Sequence, residues 1–423
     1  MTYRSTAALL LCLTLGAAAG AQEPIITMTP PEGDADRALA TADLAALERL
    51  AIEALEPADQ ALLAAYAARV RGDLAASDAQ ALLCSDLARR DIPRLYEREA
   101  KCRSLFAGNA LIRGDAVEWV RRFKSALTAI EDHAREQAHS AFPGKFIANA
   151  RVGLPGLWSL PTLANVPPVY RMGAGRKTLE RVPYQAQGRS DASVPRGPFS
   201  VRATANGVEA DFVFDTGAPI GLVGGTLAAR LGLDQGEGGS GVVQMDLHLQ
   251  GKSVKARLAT LDRLQIGAFE ARHSTILIST DPEMPNVIGL NLMRNMGPLR
   301  LSETELELGA SASCDERFLL ATDTVGLKQF VIAPVDVSGS AVMAHIDTGQ
   351  PALLFQFDQP RIAPWEAEFQ GVTVNGQHGH VSNGPRTSRY GTLHNVGAGV
   401  LAGSDLFLDI GASHLCFEPL RGS

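Results

Sequence analysis

Two stretches of this 423-residue chain, 132 positions apart, run through one pattern into the triplet Asp-Thr-Gly. The first is Phe199–Ala205, Asn206-Gly207, then Val208–Phe214 leading into Asp215-Thr216-Gly217-Ala218. The second is Phe330–Val337, Ser338-Gly339, then Ser340–Ile346 leading into Asp347-Thr348-Gly349-Gln350. Alternating apolar residues around a two-residue turn signal read as a β-hairpin in each case. The turn glycine precedes the aspartate by eight positions in both, and Leu222 and Leu354 stand at equal distance beyond it. An apolar-apolar-Gly follows each triplet, Val287-Ile288-Gly289 in one half and Leu401-Ala402-Gly403 in the other. Another pair of short strands closes each half, at 299–308 and 406–417. Such a repeat means that the two halves fold alike and pair about a pseudo-two-fold axis.

A single Asp-Thr-Gly is an ordinary turn sequence. Two copies in matched strand contexts call for a joint role. Each strand delivers an aspartate to a tight loop, and glycine lets two such loops approach face to face. Thr216 and Thr348 can hydrogen-bond across to the opposite loop. Two carboxylates brought together cannot both ionise freely, so they share a proton. Such a pair can activate one water, one carboxyl acting as base and the other as acid. No metal and no cofactor is needed.

Asp215-Thr216-Gly217-Ala218, fed by Phe212-Val213-Phe214, resembles the motif of the retropepsin-like aspartic peptidases. Val287-Ile288-Gly289-Leu290-Asn291-Leu292 looks like the second signature of that group, and Gly403 marks its counterpart in the second half. Two tandem halves in one chain are similar to the pepsin arrangement. The resemblance covers about residues 199–420. It implies an all-β double acid-protease fold, a cleft between the halves, and an extended peptide or protein substrate. It also makes Asp215 and Asp347 the catalytic pair, with Thr216, Gly217, Ala218, Thr348, Gly349 and Gln350 as supporting loop residues. A flap is expected within 238–259 of the first half, and within 371–397 of the second, where Tyr390 is a candidate flap aromatic. Gln350 departs from the small residue usual at its position, and no counterpart of the helix-like Thr226–Leu233 follows the second motif.

The rest of the chain is different in texture. Arg4, an apolar stretch over 7–15 and Ala19-Gly20-Ala21 match a secretory signal spanning 1–21. Residues 36–145 read as a helical domain: Leu44, Leu47, Leu50, Ala54 and Leu55 recur at helical spacing, and Pro57 stops the run. Asp115 can cap a helix carrying Trp119, Val120, Phe123 and Leu127, whose apolar stripe reads as core-forming. Residues 146–198, with Pro155, Pro161, Pro167, Pro168, Pro183, Pro195 and Pro198, read as a linker or an irregular strap. The two β halves then span 199–310 and 315–420, giving a multidomain α + β chain.

After signal removal four cysteines remain, Cys84, Cys102, Cys314 and Cys416, an even count that favours disulfides in an exported chain. Three connectivities are open; proximity in sequence favours Cys84–Cys102, leaving Cys314–Cys416. The location expected is periplasmic or extracellular, with no membrane span after signal cleavage, and the chain is expected to be a monomer. A net charge of −7 gives no electrostatic reason for a nucleic-acid partner. An aspartic endopeptidase is the function expected; the alternative is a peptidase fold that binds peptides or a protein without turnover. The helical region is expected to be a permanent domain rather than a removable pro-segment, because it lacks a basic excess.

Overall fold

A computed structural model describes residues 33–91, 96–136, 166–181, 198–233, 244–249, 252–279, 281–311, 315–337, 340–349, 354–355, 365–369, 372–376 and 394–420. The signal segment, Cys314, Gln350 and Tyr390 lie outside these residues.

Among the described residues six helices come first: α1 (Asp34–Thr41), α2 (Leu44–Glu53), α3 (Pro57–Val70), α4 (Leu74–Arg90), α5 (Tyr96–Ile112) and α6 (Ala116–Glu136). Their starts follow local chemistry. Asp43 and Asp73 accept from Ala46 N and Ala76 N, and Asp115 accepts from Glu118 N at 2.9 Å, so each carboxylate satisfies an orphan amide. Pro57 opens α3 at the one place where a missing amide costs nothing. Gly72 and Gly114, at φ +78° and +85°, provide the left-handed turns after α3 and α5. A disulfide between Cys84 and Cys102 ties α4 to α5.

The Pro-rich stretch is more than a linker. It contributes β1 (Val169–Arg171) and β2 (Gly175–Arg181). β2 sits inside the main sheet, between β3 (Phe199–Ala205) and β11 (Glu305–Leu308). Composition hid this, because the prolines flank the strands without entering them.

The first half continues with β4 (Val208–Phe214), β5 (Leu222–Val223), the short helix α7 (Gly225–Arg230), β6 (Gln244–Leu249), β7 (Lys252–Ile266), β8 (Phe269–Ser279), β9 (Asn286–Ile288), α8 (Leu290–Met293) and β10 (Leu299–Leu301), before β11. The second half contains β12 (Leu319–Thr322), β13 (Gln329–Val337), β14 (Ser340–Asp347), β15 (Leu354–Phe355), β16 (Trp365–Phe369), β17 (Val372–Gly376), β18 (His394–Gly397), a 3-10 turn over Ala398–Ala402, β19 (Ser404–Asp409) and β20 (His414–Pro419).

Each half has the same interlocked centre. In the first, β4 runs parallel to β9 while β5 pairs antiparallel with that same β9. In the second, β14 runs parallel to β18 and β15 pairs antiparallel with it. The strand after the Asp-Thr-Gly loop therefore lies on the far side of a strand that crosses behind the loop, giving two ψ-shaped motifs. The hairpin β6–β7 begins in the stretch expected for the first flap, while the second-half hairpin β16–β17 starts before the expected 371–397, with only β17 inside it.

The halves are joined by more than chain connection. β10 of the first pairs antiparallel with β19 of the second, Leu299 opposite Leu408. Beneath that seam the buried Arg300 donates to Glu418 at 2.8 Å and to Glu307 at 2.7 Å. Charges removed from water need such partners, and breaking one side would leave a buried ion uncompensated. An isolated bridge pairs Arg317 with His414, so the second half begins beside its own last strand. Cys416 on that strand is disulfide-bonded; its expected partner, Cys314, falls outside the described residues.

Candidate active site

The two Asp-Thr-Gly loops meet tip to tip and are locked by an exchange of hydrogen bonds. Thr216 N donates to Thr348 Oγ1 at 3.1 Å, and Thr348 N donates to Thr216 Oγ1 at 3.0 Å. Each hydroxyl then donates onward: Thr216 Oγ1 to Ile346 O at 2.6 Å, Thr348 Oγ1 to Phe214 O at 2.8 Å. Both threonines are buried, so all four bonds form out of reach of water. Losing one partner there would strand a polar group.

The aspartates stand on either side of this lock. Gly217 N donates to Asp215 Oδ1 at 2.8 Å, and Gly349 N donates to Asp347 Oδ1 at 3.1 Å. The glycines are demanded by close approach. A Cβ on Gly217 would fall 2.5 Å from Asp347 Oδ1, and one on Gly349 would collide with the Asp215 carboxyl. Each loop's glycine thus makes room for the other loop's carboxylate.

Burial and the neighbouring Asp347 push the Asp215 carboxyl up to about 8. The cause is direct: desolvation disfavours the charged form, and a second carboxylate disfavours it further. A hydrogen bond to Asp347 acts in the same direction, while the Gly217 amide opposes it. The pair therefore holds a proton across the neutral range.

His345, two residues before Asp347, was not singled out by sequence reasoning. Its ring packs edge-on against Phe330 at 4.9 Å between centroids, and burial pushes its imidazole down to about 4. Its Nε2 is buried with no hydrogen-bond partner among the described residues. The Val213 position is its equivalent in the first half.

Behind the first loop, Asn291 was also missed as an individual residue. Its side chain accepts from Gly221 N at 2.9 Å and donates to Thr275 O at 2.8 Å, fixing the chain as it leaves the loop. The signal was its place two residues after Gly289. Leu290 N donates to Ala218 O at 2.8 Å and Asn291 N to Pro219 O at 3.1 Å, so α8 fastens the loop from behind.

The structure bears on the second signature too. Ile288 pairs with Phe214, the residue before Asp215, and Gly289 follows and caps α8. A Cβ at Gly289 would lie 2.6 Å from Ile220 C, so a strand crossing this close admits only glycine. In the second half Val396 pairs with Ile346, the residue before Asp347, and Gly397 follows and caps the 3-10 turn. The counterpart of Gly289 is therefore Gly397, and the expectation of Gly403 is corrected: Gly403 closes the 3-10 turn at its far end. Two apolar-apolar-Gly-like runs lie within this short stretch, and only strand register separates them.

A family model described as aspartyl protease matches residues 201–292, which include both first-half signatures. Among solved structures, the chain is similar to a retropepsin-like aspartic protease from Rickettsia conorii, at 21% identity over 33% of this chain and 100% of that one, with a TM-score of 0.25. It is also similar to an aspartic proteinase from Irpex lacteus, at 11% identity over 59% of this chain and 98% of that one, with a TM-score of 0.37. No match is found among curated proteins. The two ψ-shaped halves and the matched segment define an aspartic-protease fold preceded by a helical region.

Proposed function

We propose that this chain is an exported aspartic peptidase whose catalytic pair, Asp215 and Asp347, is assembled from two halves of one chain. The observation that carries the reading is the reciprocal exchange between Thr216 and Thr348, which holds the two loops together with their carboxyl groups side by side, where burial and Asp347 disfavour ionisation of Asp215. A fold that only bound peptides would have no evident use for a second carboxyl set beside the buried Asp215, whose ionisation it disfavours.

The chemistry follows from one shared proton. The ionised carboxylate takes a proton from water as the water oxygen attacks the scissile carbonyl carbon. The protonated carboxyl gives its proton to the carbonyl oxygen. The tetrahedral species then collapses: the C–N bond breaks, the amine leaves with the proton that the first carboxylate had taken, and one hydroxyl of the species returns its proton to the second carboxylate, which restores the singly protonated pair. The backbone amides of Gly217 and Gly349 hold each carboxylate in register throughout.

Export is supported by the N-terminal segment read from the sequence and by the disulfide in the helical region. Among the described residues no helix is long and apolar enough to cross a membrane. Because both aspartates belong to one chain, turnover per molecule is expected not to change on dilution. The test is peptide hydrolysis by wild type, Asp215→Asn and Asp347→Asn. Loss in both variants, with no rescue on mixing them, supports the pair. Full activity in either removes that residue from the mechanism.

A further inference from the structure

We propose that the helical region closes one end of the substrate cleft for good, so that the chain cuts only near a peptide's end. This rests on the peptidase reading above. Cross-strand partners share a sheet face. In the first half Val213 pairs with Val287, Val287 opposes Leu222, Leu222 pairs with Leu277, and Leu277 opposes Leu258. Strand alternation places Asp215, two residues beyond Val213, on that same face. Phe214 and Ile288 point the other way, into the core of the half. The row from Val287 to Leu258 is therefore the surface beside the carboxylate on which an extended substrate would lie.

That surface is already covered. It packs in one cluster with Ala110 and Leu111 of α5 and Trp119 and Val120 of α6. Leu222, Leu258, Leu277 and Val287 are each at most 4% exposed. The second half is covered on the other side of its aspartate, over β13 and β12, whereas in the first half the covered row lies over β9, β5, β8 and β7. Asp347 and His345 share a face, Ile332 opposes His345, and Leu319 opposes Ile332. Ile332 and Leu319 pack with Leu47, Tyr66 and Leu105 of α2, α3 and α5.

The helices bridge the two halves beside the dyad. Trp119 Nε1 donates to Val325 O at 3.1 Å. The buried Arg69 donates to Asp323 O at 2.8 Å and Thr324 O at 3.1 Å. A Cβ on Gly108 would lie 2.6 Å from Thr324 O, so the backbones are in contact. A pro-segment must leave without uncovering a core. Here departure would expose the apolar row and break the bonds from Arg69 to Asp323 O and Thr324 O, and Cys84–Cys102 binds the helices to one another.

The other side stays reachable. Asp347, Gly217 and Gly349 are half-buried. Ser200, opposite Val213, opens that face into a cavity of about 210 Å³ bordered by Arg230 and Met284. Val213, on the face that bears Asp215, lines this cavity, so a peptide entering there would run toward the dyad with one end leading, and the helices leave no room for a long stretch beyond the scissile bond.

Two measurements on the full chain test this. In the first, unstructured peptides of graded length are incubated and the products weighed by mass spectrometry. Cuts confined to the last few residues of one terminus are expected, and a bulky cap on that terminus should lower turnover at least about tenfold, the factor given by roughly 1.4 kcal/mol. Frequent cuts far from both ends overturn the proposal. So does a gain of internal cutting once cleavage within 137–165 frees the helices. In the second, hydroxyl-bearing peptide isosteres with residues on one side or both sides of the hydroxyl are titrated by calorimetry. One-sided binding is expected, with no gain from the second arm. Tightening by both arms, or no binding by any isostere, overturns it. One-sided binding without any turnover upholds the closed end and sinks the peptidase reading instead.

Discussion

The two halves share a centre and differ around it. In both, a strand ends in Asp-Thr-Gly, a second strand crosses behind it in parallel, and a glycine caps a short helical turn at the crossing. Beside that centre the sequences part. Val213 stands where the second half has His345, and Asn291 stands where it has Gly399. Asp215 is buried, whereas Asp347 is half-buried. The comparison teaches which features the dyad needs. Those held in duplicate are the threonine exchange, the glycine clearances and the crossing strand. The side chains flanking them are free to differ.

The largest expected effect tests whether the halves contribute equally to chemistry. Asp215→Asn and Asp347→Asn should each lower peptide turnover by at least about 10²–10⁴. Their stabilities should not match wild type in the same way. A carboxyl whose proton affinity is raised by folding adds stability that is complete at acid pH and lost as pH rises toward about 8. Asp215→Asn removes that loss. Thermal melts should show it gaining on wild type as pH climbs from 4 to 8. A constant difference across that range would mean that Asp215 ionises normally.

Next comes steric clearance. Gly217→Ala and Gly349→Ala each place a methyl against the opposite carboxyl. Overpacking of this kind costs roughly 1–3 kcal/mol, and the displaced carboxylate should take most of the turnover with it. Equal losses in the two variants uphold the symmetry of the centre. A harmless substitution in one half alone would break it.

The threonine exchange should be smaller and coupled. Thr216→Val and Thr348→Val each remove a hydroxyl with two bonds, at about 1–3 kcal/mol for the stranded groups. Because each accepts from the other's amide, the double variant should cost less than the sum, by roughly 0.5–3 kcal/mol in a denaturation cycle. Additive losses would show that the loops are held independently.

How much of this was legible in the sequence depends on the kind of interaction. The centre was, because spacing along a strand and spacing across a hairpin are both written in residue order: Gly207 to Asp215, and Gly339 to Asp347. The crossing glycine of the second half was misplaced because residue order does not record which strand pairs in parallel with β14. The strand β2 was hidden because its cue, prolines on either side, is also the cue of a linker. The apolar stripe of α6 announced that Trp119 and Val120 are covered. It carried no information about what covers them, and that turned out to be the face bearing Asp215.

The smallest effect concerns His345 and asks whether the side-chain differences matter to the dyad at all. His345→Val would give the second half the residue that the first half carries at Val213. At neutral pH little should change, since burial keeps the imidazole neutral there. The difference should emerge in acid. A base whose proton affinity is lowered by folding, here to about 4, adds stability that is present above the ordinary histidine range and lost as pH falls toward that value. The valine variant escapes this loss, so it should gain on wild type between about pH 6.5 and 4. This is the reverse of the pH dependence expected for Asp215→Asn, so the two variants control for one another. A charged imidazole would also help Asp215 to ionise. Turnover measured at and below pH 4 should therefore change in the valine variant while turnover near neutrality does not. Identical melts and identical pH–rate profiles would show that His345 is a packing residue beside Phe330, and that the two halves are alike in everything that bears on the shared proton.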